Sequence, residues 1–140
     1  MRSRRIEDLN LHRARTALCC VRAAKKAGLG GDYLRAVEAF PFNIRSLGLG
    51  QALALLCAGG AKDRGKLQLY RDLQSWLCEQ QQHSPYYNED KAEEQDLLGA
   101  LSGGTQADYR TALIETEAWL AWLKPVAQAL LSDAGTEAAA

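Results

Sequence analysis

Three observations predict an all-α fold, a single compact bundle of about six or seven helices, for this chain of 140 residues. Every long segment repeats its apolar residues with the helical period, and none shows the two-residue alternation of a half-buried strand. Glycine and proline punctuate the chain between these segments, where helices would start or stop. A hydrophobic fraction of 47% with 24% charged residues is that of a globular domain long enough to bury a core without disulfides or metal.

The first helix is expected from about residue 4 to Ala27, closed by Gly28. Ile6, Leu9, Ala17, Cys20, Val21 and Ala24 share one arc, while Arg4, Arg15, Arg22 and Lys26 cluster opposite them, with Lys25 alongside. Arg13 sits at the edge of the apolar arc and must emerge there or pair with an acid. Asp32 is placed to cap a second helix that turns Tyr33, Leu34, Val37 and Phe40 inward. Pro41, lacking an N–H, is expected to break that helix and open a short third one, "PFNIRSL". Gly48 suits a left-handed close, and "GQALALLCA" forms a fourth helix ending at Gly59 and Gly60.

The Gly-Leu-Gly at 48–50 invites comparison with a phosphate cradle. A dinucleotide loop needs a preceding strand and a third glycine where Leu53 stands, and a P-loop needs Gly-Lys-Ser/Thr; neither is present. The glycines therefore read as a tight joint between helices, although amide groups at the next helix's start could still meet a phosphate.

"AKDRGKLQLYRDLQSWLCEQ" is a fifth helix with Leu69, Tyr70, Leu73, Trp76 and Leu77 on its packing stripe, Trp76 being expected in the core. Residues 79–96 are polar and acidic and contain Pro85, so a flexible loop is expected around 80–90. A sixth helix around 90–101 presents Leu97, Leu98 and Leu101 and stops at "SGG". Thr105 with Asp108 approximates a capping box for the last helix, which places Tyr109, Ala112, Leu113, Thr116, Leu120, Leu123, Ala127 and Leu130 on one face. Trp119, Trp122 and Val126 form a second stripe expected to meet another helix of the same fold. Pro125 predicts a kink near residues 121–124, and residues 133–140 have nothing to bury and should fray, leaving 1–132 as the domain.

The zero net charge conceals a polarity. Residues 1–26 hold eight bases against two acids, residues 27–78 six against four, and residues 79–140 three against eleven. Such separation suggests an anionic partner near one end, or copies meeting basic end to acidic end. "MRSRR" is not followed by the apolar stretch of a secretory leader, and no run approaches the roughly 20 apolar residues of a membrane span, so a cytoplasmic protein is expected.

Catalytic chemistry finds little support. His12 and His83 have no nucleophile, acid or ligand at a recognisable spacing. The carboxylates at 89–96, and Glu115 near Glu117, read as solvated charge. Cys19, Cys20, Cys57 and Cys78 form no C-x-x-C pair and read as small buried apolar residues. No enzyme activity, cofactor, metal or small-molecule substrate is expected. What remains is the basic face, Arg4, Arg15, Arg22, Lys25 and Lys26, to which Arg45, Lys62, Arg64, Lys66 and Lys124 add. Cations in line bind a phosphate backbone without reading sequence.

Three segments carry a family resemblance: "DYLRAVEAFPFNIRSLGLGQALALL", "LQLYRDLQSWL" and "DYRTALIETEAWLAWLKPVAQAL". Their order and spacing resemble the Cmr small subunit family of type III-B CRISPR-Cas effector complexes. The resemblance implies a helical, non-enzymatic protein stacked in several copies within a ribonucleoprotein, beside other Cmr-type subunits and the guide RNA, with a basic surface along the target RNA. One departure is Pro125, where the family typically has a basic residue after Trp-Leu-Lys; Lys124 remains. A second reading, from the charge alone, is a helical adaptor whose basic stripe docks an acidic protein and never touches RNA.

Overall fold

The computed structural model describes the backbone of residues 2–88 and 96–139 and the side chains of 8–88 and 96–132. Its elements are α1 (Arg2–Lys26), α2 (Gly30–Leu47), α3 (Leu49–Gly59), α4 (Arg64–Ser75), a π-helical turn (Trp76–Gln80), α5 (Leu97–Gly103) and α6 (Gln106–Ala139). No strand occurs among the described residues, and none of the described helices is long and apolar enough to cross a membrane.

α6 is the spine, with α1 and α2 packed along it and α4 wedged against α2 and α3. Ala17, Val21 and Ala24 are buried on α1, which fixes that helix's rotation. Gly28, at φ +77, closes α1: its N–H donates to Lys25 O and the Leu29 N–H to Ala24 O, the paired bonds that satisfy a helix's last carbonyls.

α2 corrects two expectations. Pro41 does not break it; the helix runs unbroken from Gly30 to Leu47 and absorbs the expected third helix. Proline forfeits one helical hydrogen bond, but Tyr33, Ala36, Val37, Phe40 and Ile44 form one stripe across it and are all buried, so packing outweighs the missing bond. Asp32 does not cap: Leu29 holds that position without a side-chain bond, and Asp32 lies in the first turn, paired with Arg35.

Gly48 takes φ +88 and carries the chain from α2 into α3. The joint is tight because Tyr109 of α6 lies against it: the Gly50 N–H donates to the Tyr109 hydroxyl at 2.9 Å, and a Cβ on Gly48 would sit 3.4 Å from that oxygen. The Gly-Leu-Gly is thus a seat for a tyrosine, and Tyr109 occupies one amide that a phosphate would need. α4 is capped by Asp63, whose carboxylate accepts from the Gly65 and Lys66 N–H groups. Gly65 is pressed onto α2, where a Cβ would lie 2.4 Å from the Asp32 carbonyl carbon.

The expected fifth helix ends by widening into the π turn, in which the Gln81 N–H reaches Trp76 O. The polar stretch that follows is not wholly solvated: Gln81, Ser84 and Tyr86 are buried. Residues 89–95, with the end of the loop expected around 80–90 and the start of the expected sixth helix, lie outside the described residues. α5 itself begins at Leu97, with Leu97 and Leu101 buried. The capping box at Thr105 and Asp108 forms, the Asp108 N–H donating to Thr105 Oγ1 at 3.1 Å. α6 continues through Pro125, and the predicted fraying of 133–140 falls where side chains are not described.

Candidate nucleic-acid interface

A helix can present cations to a polymer only if something holds its opposite face in place. On α1 the small apolar residues do part of this, and Arg13 does the rest. Its Nε and Nη2 donate to Glu115 Oε2 and Oε1, both at 2.8 Å, a two-pronged bond from α1 to α6. Glu115 also accepts from Gln81 Nε2 at 2.8 Å and from the Trp76 indole at 3.3 Å. One carboxylate therefore ties α1, the π turn and α6 together. The bond to Glu115 makes the Arg13 guanidinium hold its proton more firmly still.

Glu115 was expected in solvent beside Glu117; instead it is buried. Its spacing of three and four residues from Ala112 and Trp119 puts it on the buried side of α6, and that spacing was the available signal. Beside it Trp76 stacks on Trp119, ring centroids 5.7 Å apart and planes within 9°, and His12 meets the edge of Trp76 at 5.0 Å. His12 belongs to this aromatic column, not to the basic stripe near which the sequence places it. Further along, the Trp122 indole donates to Asn10 at 2.7 Å, so the second stripe of α6 meets α1 as expected.

A second buried carboxylate was missed altogether. Asp72 accepts from the Tyr33 hydroxyl at 2.6 Å and from Gln68 Nε2 at 2.8 Å, with no cation beside it among the described residues. Burial raises its pKa above the ordinary carboxylate value, its hydrogen bonds working in the opposite direction. The cysteines also divide against expectation: Cys78 is buried and Cys20 partly so, but Cys19 and Cys57 are exposed. Burial, then the charges of Glu79 and Asp96, pushes the Cys78 thiol up to about 11.

The ten predicted contact residues fall on separate elements. Arg15, Arg22, Lys25 and Lys26 are exposed on α1, and the side chain of Arg4 lies outside the described residues. Arg45 of α2 and Lys124 of α6 line one cleft of about 360 Å³ together with Glu117, Ile44 and Leu120. Lys62, Arg64 and Lys66 are exposed at the α3–α4 turn. Among the described residues the ion pairs are Arg13–Glu115 and Arg35–Asp32, so none of these exposed cations is neutralised there. No group of three His, Cys, Asp or Glu able to hold a metal occurs among the described residues.

Comparison with curated proteins finds no match. A family of CRISPR-associated proteins, Cmr5, matches residues 9–130, from the inner turns of α1 to the last packed turns of α6. The match takes in the Arg13–Glu115 tie, the Gly-Leu-Gly seat and the aromatic column. The chain belongs to the Cmr5 family of CRISPR-associated proteins, subunits that associate with other Cmr effector components.

Proposed function

We propose that this chain is the non-catalytic small subunit of a type III-B, RNA-guided, RNA-targeting complex. Several copies stack in it and line the target RNA through sequence-independent contacts to the backbone, in the cytoplasm and in antiviral defence. The observation that carries this reading is the outward row of Arg15, Arg22, Lys25 and Lys26, none of them paired with a described carboxylate, on a helix whose rotation Arg13 and Glu115 lock. Where a guide strand supplies sequence specificity by base pairing, a lining subunit needs only cations facing phosphates. The non-catalytic role is supported by the occupation of the reactive side chains: His12 packs on Trp76, and Glu115 accepts four hydrogen bonds.

The test is single-stranded RNA binding by the purified protein across a salt series. Each phosphate neutralised on a single strand contributes about −0.7 to the slope of log affinity against log salt. Replacing Arg15, Arg22 and Lys26 with Ala should flatten the slope by about 2. An unchanged slope removes α1 from the RNA path and favours the docking of an acidic protein there instead.

A further inference from the structure

α2 and α6 run antiparallel and are stitched at both ends of their contact. Gln128 Nε2 donates to Glu38 Oε2 at 3.2 Å, and at the far end the Tyr109 hydroxyl of α6 accepts from the Gly50 N–H just past α2. Between the stitches lies the cleft of about 360 Å³, and each helix brings its internal proline to it, Pro41 and Pro125. Pro125 has no N–H, so the carbonyl of Ala121, four residues earlier and also lining the cleft, lacks its helical donor.

The charges around the cleft are sorted. Lys124 and Glu117 are seven residues apart on α6, which puts them on one side of that helix and about 10 Å apart along its axis. Arg45 folds back along α2, its Nε donating to Pro41 O at 3.4 Å, towards the end marked by Glu38 and Gln128 and hence towards Lys124. The two cations gather at one end and the carboxylate stands at the other. None of the three has an ion-pair partner among the described residues. Between them the buried Ile44 and Leu120 and the two proline rings make the wall apolar.

A ligand that answers this pattern carries an anion at one end, an apolar face in the middle and a hydrogen-bond donor at the other end. A fatty-acid anion would leave the Glu117 carboxylate and the Ala121 carbonyl without donors. A free amino acid has its ammonium next to its carboxylate and serves only one end. A nucleotide has its phosphate and the exocyclic amine of its base at opposite ends, and the cleft has the volume of a small-ligand site. Among bases, cytosine offers the N4 amine that carboxylates accept from. We propose that the α2–α6 cleft binds a cytidine nucleotide: Arg45 and Lys124 hold the phosphate, the apolar wall covers one face of the base, and Glu117 accepts from the N4 amine. Uracil puts a carbonyl oxygen in place of that amine and sets it against the carboxylate. The site lies apart from the α1 row and does not depend on it; its nucleotide is a free monophosphate or one residue of a strand.

Titration of the isotope-labelled full chain with CMP and with UMP, to about 10 mM, reads the site residue by residue through amide chemical shifts. CMP should shift the amides of Ile44, Arg45, Ala121 and Lys124 and saturate near about 1 mM, with UMP about tenfold weaker. Arg45→Gln and Lys124→Gln should each weaken CMP about tenfold. Glu117→Gln, whose amide donates as well as accepts, should bring CMP and UMP to within about twofold of each other, whereas loss of a merely structural contact would weaken both alike. Arg45 and Glu117 are exposed and Lys124 is half-buried, and the unliganded spectra check that the variants keep the fold. The α1 triple-alanine variant should bind CMP like the parent, which separates failure of this site from failure of the RNA reading. Decamers of rC and rU identify the source: a preference for rC that Glu117→Gln removes assigns the site to a strand, and a CMP preference without an rC preference assigns it to the free nucleotide. No saturable shift at the cleft by about 10 mM, shifts confined to α1, or CMP and UMP that bind the parent alike overturns the proposal.

Discussion

At the scale of single residues, the buried charges decide most. Glu115 and Arg13 are 8% and 17% exposed as side chains, and Glu115→Ala leaves the guanidinium without its partner in a dry place. Breaking a buried pair from one side costs about 3 kcal/mol or more, which urea unfolding would read as a lowered midpoint. Asp72 behaves in the opposite sense. Its folded pKa is raised above 3.8, so whatever stability it contributes is present while it is protonated at low pH and is lost as pH rises through the folded value. Asp72→Asn, with Gln68 free to turn its amide, should therefore melt higher than the parent at pH 7, and the gain should vanish towards pH 3 to 4. Thiol chemistry offers a third check. Iodoacetamide at pH 8 should label Cys19 and Cys57 in the folded protein, while Cys20 and Cys78, each held protonated chiefly by burial, react only after unfolding; mass spectrometry of the peptides reads the order.

At the scale of elements, glycines mark where backbones meet. Gly65→Ala would drive a methyl group into the Asp32–Tyr33 peptide at 2.4–2.5 Å and force α4 off α2, a loss of about 3 kcal/mol by denaturant unfolding. The α2–α3 joint should be less sensitive: Tyr109→Phe removes the acceptor of the Gly50 N–H and should cost about 1–2 kcal/mol. Helix positions and faces were largely legible in the sequence because an apolar stripe declares its own period; Ala17, Val21 and Ala24, then Leu69, Leu73, Trp76 and Leu77, and Ala112, Thr116, Leu120, Leu123 and Ala127 of α6 are buried where the periodicity places them, with Tyr109, Leu113 and Leu130 partly so. Pro41 was misread for a definite reason. A local rule prices the missing hydrogen bond, but the stripe from Tyr33 to Ile44 continues on both sides of it, and burial of that stripe is a tertiary term. The π turn had no local signature; Trp76 at its start and Gln81 just after it both reach Glu115, a partner supplied by a distant helix.

For the molecule as a whole, the exposed cations carry little of the stability. The Arg15, Arg22 and Lys26 triple alanine should unfold within about 0.5 kcal/mol of the parent, so a change in its RNA salt slope would report contact and not misfolding. The basic stripe of α1 was visible in the sequence because its residues share one helix and therefore one geometry. That Arg45 and Lys124 share a cleft while Lys62, Arg64 and Lys66 flank α3 was not, because their helices are brought together by packing alone. The amino-acid order by itself determined a helical chain, most of its buried faces and the separation of charge along its length, all consequences of spacing within one segment. Which carboxylate is buried, which proline is tolerated and which cations share a cleft were decided only by tertiary structure, because each depends on what a distant segment brings to within a few ångströms.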